Sequence, residues 1–261
     1  MPKPDASTTT INLLSLVIYT HLILTALGYY VSVKLAALYS GGKDSTFAIS
    51  CAREMGHRVV CFVTMQPLAD DSALLHYPNS WVTTYLANAM QTPLIAFPVS
   101  GRSKEDEMKA LEHALAHAKS LYGIEGIVHG GISSKYQKQA FEAICVRQRI
   151  AAVAPLWDSE PERYMIKLIE CGFHIIIVGV SAMGLGREWL GRELDEEAIA
   201  KLVSRSKKYG FNLTFEGGEA ETLVIDCPLF WKKLQINAAN IHWDGQRGIF
   251  EIHDAALVEK K

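Results

Sequence analysis

Hydrophobic and polar residues alternate in blocks from Val33 to the end of the chain. Leu35-Ala36-Ala37-Leu38-Tyr39 is a short apolar run of the kind a strand buried on both faces needs, and Ser45–Met55 then takes helical spacing and stops at Gly56. Arg58–Met65 predicts the next strand, Trp81–Gln91 a helix, Leu94–Val99 a strand, Lys104–Tyr122 a helix and Gly126–His129 a strand. This alternation predicts an α/β fold, a parallel sheet of about five strands with helices on both faces.

Pro155 and Pro161 bracket a connection after Ala154-Pro155-Leu156-Trp157. Beyond it the pattern predicts a helix at Glu162–Cys171, a strongly apolar strand at Phe173–Val180, a helix at Asp195–Tyr209 and a strand at Thr222–Ile225. Ile241-His242-Trp243 and Ile249-Phe250-Glu251-Ile252 flank Asp244-Gly245-Gln246-Arg247-Gly248, a hairpin signal. The chain is expected to divide into an extension (1–32), a first domain (33–157) and a smaller C-terminal α/β domain (158–261). A site between the two domains, at the carboxyl ends of the strands, is expected.

Residues Ile11–Val33 are apolar apart from small or weakly polar residues such as Asn12, Ser15, Thr20, His21, Thr25 and Ser32. The run matches the roughly 20 apolar residues that a bilayer-spanning helix needs. A signal peptide is a second reading, since Lys3 precedes the run, although no small-x-small cleavage site follows it. A third reading, a true start at Val31 or Val33, best explains why the first strand follows with no linker, and it leaves no membrane attachment.

Composition narrows the partners. At 49% hydrophobic and 21% charged residues the chain is ordinary globular protein. A net charge of −2 provides no general basic field for a nucleic acid, so no stable nucleic-acid partner is expected. Cys51, Cys61, Cys145, Cys171 and Cys227 form no C-x-x-C pair, which signals neither a disulfide framework nor a zinc or iron–sulfur site. Reduced thiols in a cytoplasmic protein are the expectation. A homodimer is left open.

The first candidate for chemistry is Ser40-Gly41-Gly42-Lys43-Asp44-Ser45, a strand end turning straight into a helix. Gly41 and Gly42 allow a tight backbone that aims several N–H groups at one point, and the helix start adds unpaired N–H groups and a positive dipole end. Lys43 adds a cation on a long flexible arm, and Ser40 and Ser45 add hydroxyls. A carboxylate beside phosphates is repulsive unless it has another task, so Asp44 caps the helix, orients Lys43 or holds Mg²⁺. This is not a Walker A loop, because Asp44 rather than Ser or Thr follows Lys43. Gly184-Leu185-Gly186 with Gly191 does not complete a dinucleotide fingerprint.

Two further clusters stand out. Gly130-Gly131-Ile132-Ser133-Ser134 follows a buried strand and opens a helix, so it fits contact with adenosine or phosphate and fits an ordinary capped helix start equally well. Glu216-Gly217-Gly218-Glu219-Ala220-Glu221 puts three carboxylates on a tight turn, suited to Mg²⁺ or an ammonium ion, or simply to solvent. His129, at a strand end, reads as a packed histidine without a role.

The loop Ser40–Ser45 resembles the pyrophosphate loop of the N-type ATP pyrophosphatases. The stretch Gly130-Gly131-Ile132-Ser133-Ser134-Lys135-Tyr136-Gln137-Lys138, then Glu142–Cys145, Pro155-Leu156-Trp157, Gly184-Leu185, Trp189–Asp195 and above all Glu216–Asp226, narrows the resemblance to the diphthine–ammonia ligase family. The likeness runs from Val33 to about Trp231. The chain departs from the family near Ala140, where a basic residue is common, and His76-Tyr77-Pro78-Asn79 only approximates its His-x-Pro-Asn element.

The resemblance implies an adenine nucleotide α-hydrolase-like (HUP-type) fold and ATP-dependent amidation of diphthine on translation elongation factor 2. An acyl-adenylate would form, with release of pyrophosphate and then AMP, ATP and Mg²⁺ being consumed or required. It implies Lys43, Asp44, Glu219 and Glu221 as catalytic residues, with Asp44 on the metal. Ser40–Ser45, Gly130, Gly131 and Ser133 would hold the nucleotide. Tyr136, Gln137, Trp157, Glu216, Gly217, Gly218, Glu219, Glu221 and Thr222 would hold the acceptor, Tyr136 or Trp157 offering a cation–π face to its trimethylammonium group. With no room for a glutaminase domain, ammonium is expected from solution. The alternatives are a tRNA-modifying enzyme of the thiolation or lysidine type on the same loop, and a protein that holds ATP without turning it over.

Overall fold

A computed structural model describes residues 32–67, 79–99 and 104–260. Residues 1–31 of the extension and His76-Tyr77-Pro78 lie outside the described residues. Among the described residues no helix is long and apolar enough to cross a membrane.

The first layer is built from β1 (Lys34–Leu38), α1 (Lys43–Glu54), β2 (Arg58–Pro67), α2 (Val82–Ala89), β3 (Leu94–Val99), α3 (Lys104–Tyr122), β4 (Gly126–Val128), α4 (Lys135–Gln148) and β5 (Ala151–Val153). Its five strands lie in the order β3-β2-β1-β4-β5, and every pair is parallel. Alternate residues of β1 enter different cores. Leu35 and Ala37 join Phe47 and Ile49 of α1 and Leu86 of α2, whereas Ala36 joins Leu115 of α3 and Ile144 of α4. Helices therefore cover both faces, and burying a side chain such as Leu35 or Ile49 contributes about 1.5–3 kcal/mol. Gly126 sits where a Cβ would be 2.8 Å from the Leu35 side chain and 2.9 Å from the Ala151 carbonyl, which lets β4 lie between β1 and β5.

The second layer contains α5 (Pro161–Glu170), β6 (His174–Val180), a 3₁₀ turn (Arg187–Trp189), α6 (Glu196–Tyr209), β7 (Ala220–Asp226), β8 (Lys232–Trp243) and β9 (Gly248–Glu259). Its strands run β7-β6-β9-β8 and all pairs are antiparallel. Glu160 caps α5 ahead of Pro161 by accepting the Glu162 and Arg163 amides, and Asp195 caps α6 by accepting the Ala198 amide at 2.7 Å. The predicted hairpin is present, and its strands are twelve residues each, reaching back to Lys232. The two layers share one core: Phe47 meets Phe173 edge to face at 5.2 Å, and Leu86, Leu168, Ile177 and Leu223 belong to the same buried cluster.

Candidate functional site

From β1 the chain moves outward through β2 to β3, then returns to β4 on the other side of β1. Connections thus leave β1 and β4 in opposite directions, which opens a crevice at their carboxyl ends. The turn after β1 fills it. Gly41 takes φ +80°, a left-handed conformation in which a Cβ would also lie 2.8 Å from the Leu86 side chain. Helix α1 begins at Lys43, two residues earlier than the periodicity predicts, because Gly42 serves as N-cap and its carbonyl accepts the Thr46 amide at 3.1 Å. Ser45 Oγ accepts the Ser40 amide at 3.3 Å and lies 3.1 Å from Ser40 Oγ, pinning the turn to the first helical turn.

The C-terminal layer closes this turn from the other side. Thr222 Oγ1 accepts the Lys43 amide at 3.2 Å, and the Gly41 carbonyl accepts the Val224 amide at 3.0 Å. Lys43 is 1% exposed and its side chain is held in place, not a swinging cation as the sequence suggests. Its Nζ donates to Asp44 Oδ2 at 2.8 Å and to the Thr214 carbonyl at 2.5 Å, and lies 5.4 Å from the centre of the Phe215 ring. A buried ammonium needs such partners. Asp44 Oδ1 accepts from Tyr164 Oη at 2.5 Å. Of the tasks open to Asp44, orienting Lys43 is visible, whereas helix capping is not, since no side chain caps α1.

The second glycine turn packs directly on the first. A Cβ on Gly130 would fall 2.5 Å from the Asp44 carbonyl carbon and 2.7 Å from the Ser45 nitrogen, so the position tolerates only hydrogen. The amides of Ile132, Ser133 and Ser134 all point at the Glu216 carboxylate, at 2.7, 2.7 and 3.2 Å, and Ser133 Oγ donates to it as well. Burial alone raises the Glu216 pKa, but the hydrogen bonds from Ser133, Ile132 and Ser134 outweigh it and leave the carboxyl below its usual range. His129 Nδ1 accepts the Gly131 amide at 3.1 Å and the ring stacks edge-on to Phe141 at 5.0 Å. Burial holds His129 down to about 4, so it is neutral over the physiological range.

Between the layers lies a cleft of about 800 Å³. One end is apolar, lined by Val63, Met65, Met108, Leu111 and Phe141. Here β2 outruns β1: the Tyr39 amide bonds the Val63 carbonyl at 2.9 Å, and β1 pairs no further along the strand. Met65, two residues on, turns its N–H and C=O to the same side as Val63, toward the cleft. The middle carries the two glycine turns, and the far wall carries Gly179, Glu221, Thr222 and Ile249.

Residues 33–151 match the profile described as the diphthamide synthase N-terminal domain, and residues 160–258 match the diphthamide synthase C-terminal domain. The diphthine–ammonia ligase of Danio rerio is 33% identical over 232 residues, covering 81% of this chain and 90% of that one. The chain belongs to the diphthine–ammonia ligase family. The Homo sapiens relative is 32% identical over 80% of this chain and 85% of its own length, and that of Schizosaccharomyces pombe is 30% identical over 77% of this chain but only 36% of its own.

The other family motifs divide by location. Tyr136, 56% exposed, Gln137 and Ala140 line the cleft with Gly218, Glu221 and Thr222. Trp157 does not line it, and Lys138 Nζ lies 4.2 Å from its ring centre, so that cation–π face already has a cation. Glu216 is likewise engaged by the α4 start, which differs from the expectation that its carboxylate faces a metal or a cationic ligand; Ser133, expected on the nucleotide, is bonded to Glu216 instead. Glu219 turns away from the cleft: Oε1 accepts the Asn212 amide at 3.1 Å, and Oε2 is buried with no hydrogen-bond partner among the described residues. In Trp189–Asp195 the side chains of Trp189, Leu190 and Leu194 are buried in the second layer, and none of these residues lines the cleft.

Sequence reasoning missed Tyr164, Thr214 and Phe215. Tyr164 carries no local signal beyond its place on the buried face of α5, and Thr214 acts through its carbonyl, which no side-chain pattern reports. Phe215 directly precedes Glu216 and takes φ +64°, an uncommon conformation for a bulky residue, which carries its neighbours to opposite turns.

Proposed function

We propose that the protein amidates the carboxylate of diphthine on translation elongation factor 2 through an acyl-adenylate, consuming ATP and ammonia and releasing AMP and pyrophosphate. Family membership makes it an ATP-using ligase. The observation that carries the reading is the convergence of both glycine turns and Lys43 on one cleft at the β1/β4 crevice.

The apolar end, with the edge of β2 at Met65 unpaired among the described residues, suits an adenine ring and its hydrogen-bonding edge. The phosphates then run toward the α1 start. There the Asp44 and Ser45 amides sit in the first helical turn, where no intrahelical carbonyl can accept them. The acceptor carboxylate attacks the α-phosphorus, the α–β bond breaks, and the departing pyrophosphate meets those amides and the fixed Lys43 ammonium. Preorganised charge of this kind needs no rearrangement during the step. Ammonia attacks the acyl carbon next and AMP leaves. Glu221, on the cleft wall, is the carboxylate positioned to accept a proton from ammonium or to face the trimethylammonium group; Tyr136 borders the same space.

Among the described residues no group of three metal-ligating side chains forms a resident metal site. Mg²⁺ would come with ATP, whose phosphates are its common ligands. Asp44 is the carboxylate it would meet, each oxygen keeping a lone pair beyond the bonds to Tyr164 and Lys43, and the ion would neutralise phosphate charge. A cytoplasmic setting follows from the substrate.

The test is pyrophosphate release with ATP, Mg²⁺ and ammonium, with and without elongation factor 2 carrying diphthine. AMP and pyrophosphate that appear only with this acceptor support the reading. ADP and phosphate, or release that ignores the acceptor, overturn it, and transfer RNA is then the acceptor to try.

A further inference from the structure

We propose that Tyr164 is a positioning residue of the nucleotide site, acting through Asp44 on the Lys43 ammonium. This rests on the reading above, in which Lys43 meets the leaving pyrophosphate.

Tyr164 comes from α5, in the other layer from the loop it serves. It is 4% exposed, its ring packs 6.1 Å from that of Phe47, and its hydroxyl donates to Asp44 Oδ1 at 2.5 Å. The other oxygen, Asp44 Oδ2, accepts from Lys43 Nζ at 2.8 Å. A phenol facing a carboxylate is the partner that donates, so the hydrogen bond runs from Tyr164 to Asp44.

A carboxylate gripped at one oxygen can turn about its own side-chain torsions, taking its lysine along. Gripped at both, its plane is fixed, and the ammonium has one place to sit between Asp44 and the Thr214 carbonyl. That fixity is what a leaving-group contact requires, because a misplacement of ~1 Å at a reacting centre costs on the order of 100-fold in rate. Asp44 is 30% exposed on the side chain, so without the tyrosine it has room to swing toward solvent.

The experiment uses the full chain with Tyr164→Phe, Asp44→Asn and the double variant. Tyr164→Phe keeps the ring and its packing and removes one hydroxyl. Expected for it are a kcat about 10-fold lower, an ATP KM within about 3-fold of wild type, and an unfolding midpoint lowered by no more than about 4 °C. If Tyr164 acts through Asp44, the double variant is no slower than Asp44→Asn alone. Losses that multiply, or a Tyr164→Phe enzyme with wild-type kcat, overturn the proposal.

A second arm needs no acceptor. Calorimetric affinity for inorganic pyrophosphate should fall about 5-fold in Tyr164→Phe and no further in the double variant than in Asp44→Asn. A wild-type protein that binds pyrophosphate but does not amidate diphthine overturns the proposed substrate and leaves this arm readable. A wild type that binds no pyrophosphate, or an unchanged affinity in Tyr164→Phe, overturns the role given to Tyr164.

Discussion

The Glu216 carboxylate accepts the Ile132 amide at 2.7 Å, joining residues 84 positions apart in the chain. The start of α4, which attracts an anion by its free N–H groups and dipole, has thereby received one from the protein itself. Phe215 and Thr214, the two residues before Glu216, reach the other glycine turn through Lys43. A single tripeptide of the C-terminal layer therefore holds both turns in register.

Replacing Glu216 by Gln keeps the shape but puts an N–H₂ group in place of one of the two accepting oxygens. With part of the α4 start left without an acceptor, stability should fall by about 1–3 kcal/mol, read by urea unfolding. ATP affinity should drop with it, because the second turn packs on the first.

Acid should loosen the same joint in two stages. An unfolded His129 takes up its proton near 6.5, the folded one only near 4. The unfolded chain holds more protons between those values, so stability falls as pH drops through that window, by on the order of 3 kcal/mol at most. Glu216, whose folded pKa is depressed, contributes stability that is present above its unfolded value near 4.5 and is lost as pH falls through the lower folded one. Thermal unfolding midpoints from pH 7 to 4 should decline steadily in the wild type. His129→Asn, which can still accept the Gly131 amide, should flatten the decline above pH 4.5.

Gly130→Ala forces a methyl group against the Asp44 and Ser45 backbone, which cannot move without displacing the α1 start. A loss of about 2 kcal/mol or more is expected, together with loss of ATP binding. Gly123→Ala is the comparison: its φ of +62° carries a strain of about 1 kcal/mol, but nothing lies within 4 Å of the added carbon, and ATP binding should survive.

Asn79 ties the α2 side of the first layer to the hairpin, accepting the Ile252 amide at 2.8 Å and donating to the Phe250 carbonyl at 2.9 Å. Asn79→Ala takes the side-chain partner from the buried Ile252 amide and the part-buried Phe250 carbonyl, an expected cost of about 1–3 kcal/mol. Hydrogen exchange should rise at Ile252, with little change in β1 or β4.

The parallel sheet was legible because β1, β2 and β3 are apolar runs separated by helices of clear period. β5 was not, since Ala151-Ala152-Val153 is three residues long, too short to show a strand pattern of its own. The part of β8 before Ile241 was also hidden, because Asn237, Ala238, Ala239 and Asn240 have low strand propensity and interrupt the pattern, and they lie in a strand against β9 with a register shift at Ala238. In the site, the glycine turns were visible as backbone chemistry. What occupies them was not: an isolated Glu-Gly-Gly-Glu turn does not say whether a carboxylate faces a ligand or a helix start 84 residues away.

The dependence of the first glycine turn on Thr214, Thr222 and Val224 also fixes when the site can exist during synthesis. The ribosome delivers the chain from its N-terminus, and domains generally fold as units in that order. The five parallel strands are complete once Val153 has emerged, yet the acceptors for the Lys43 ammonium and amide come more than a fifth of the chain later. A nascent chain can thus form its parallel sheet while the first glycine turn still lacks its far wall, and the cleft is complete only when β7 arrives.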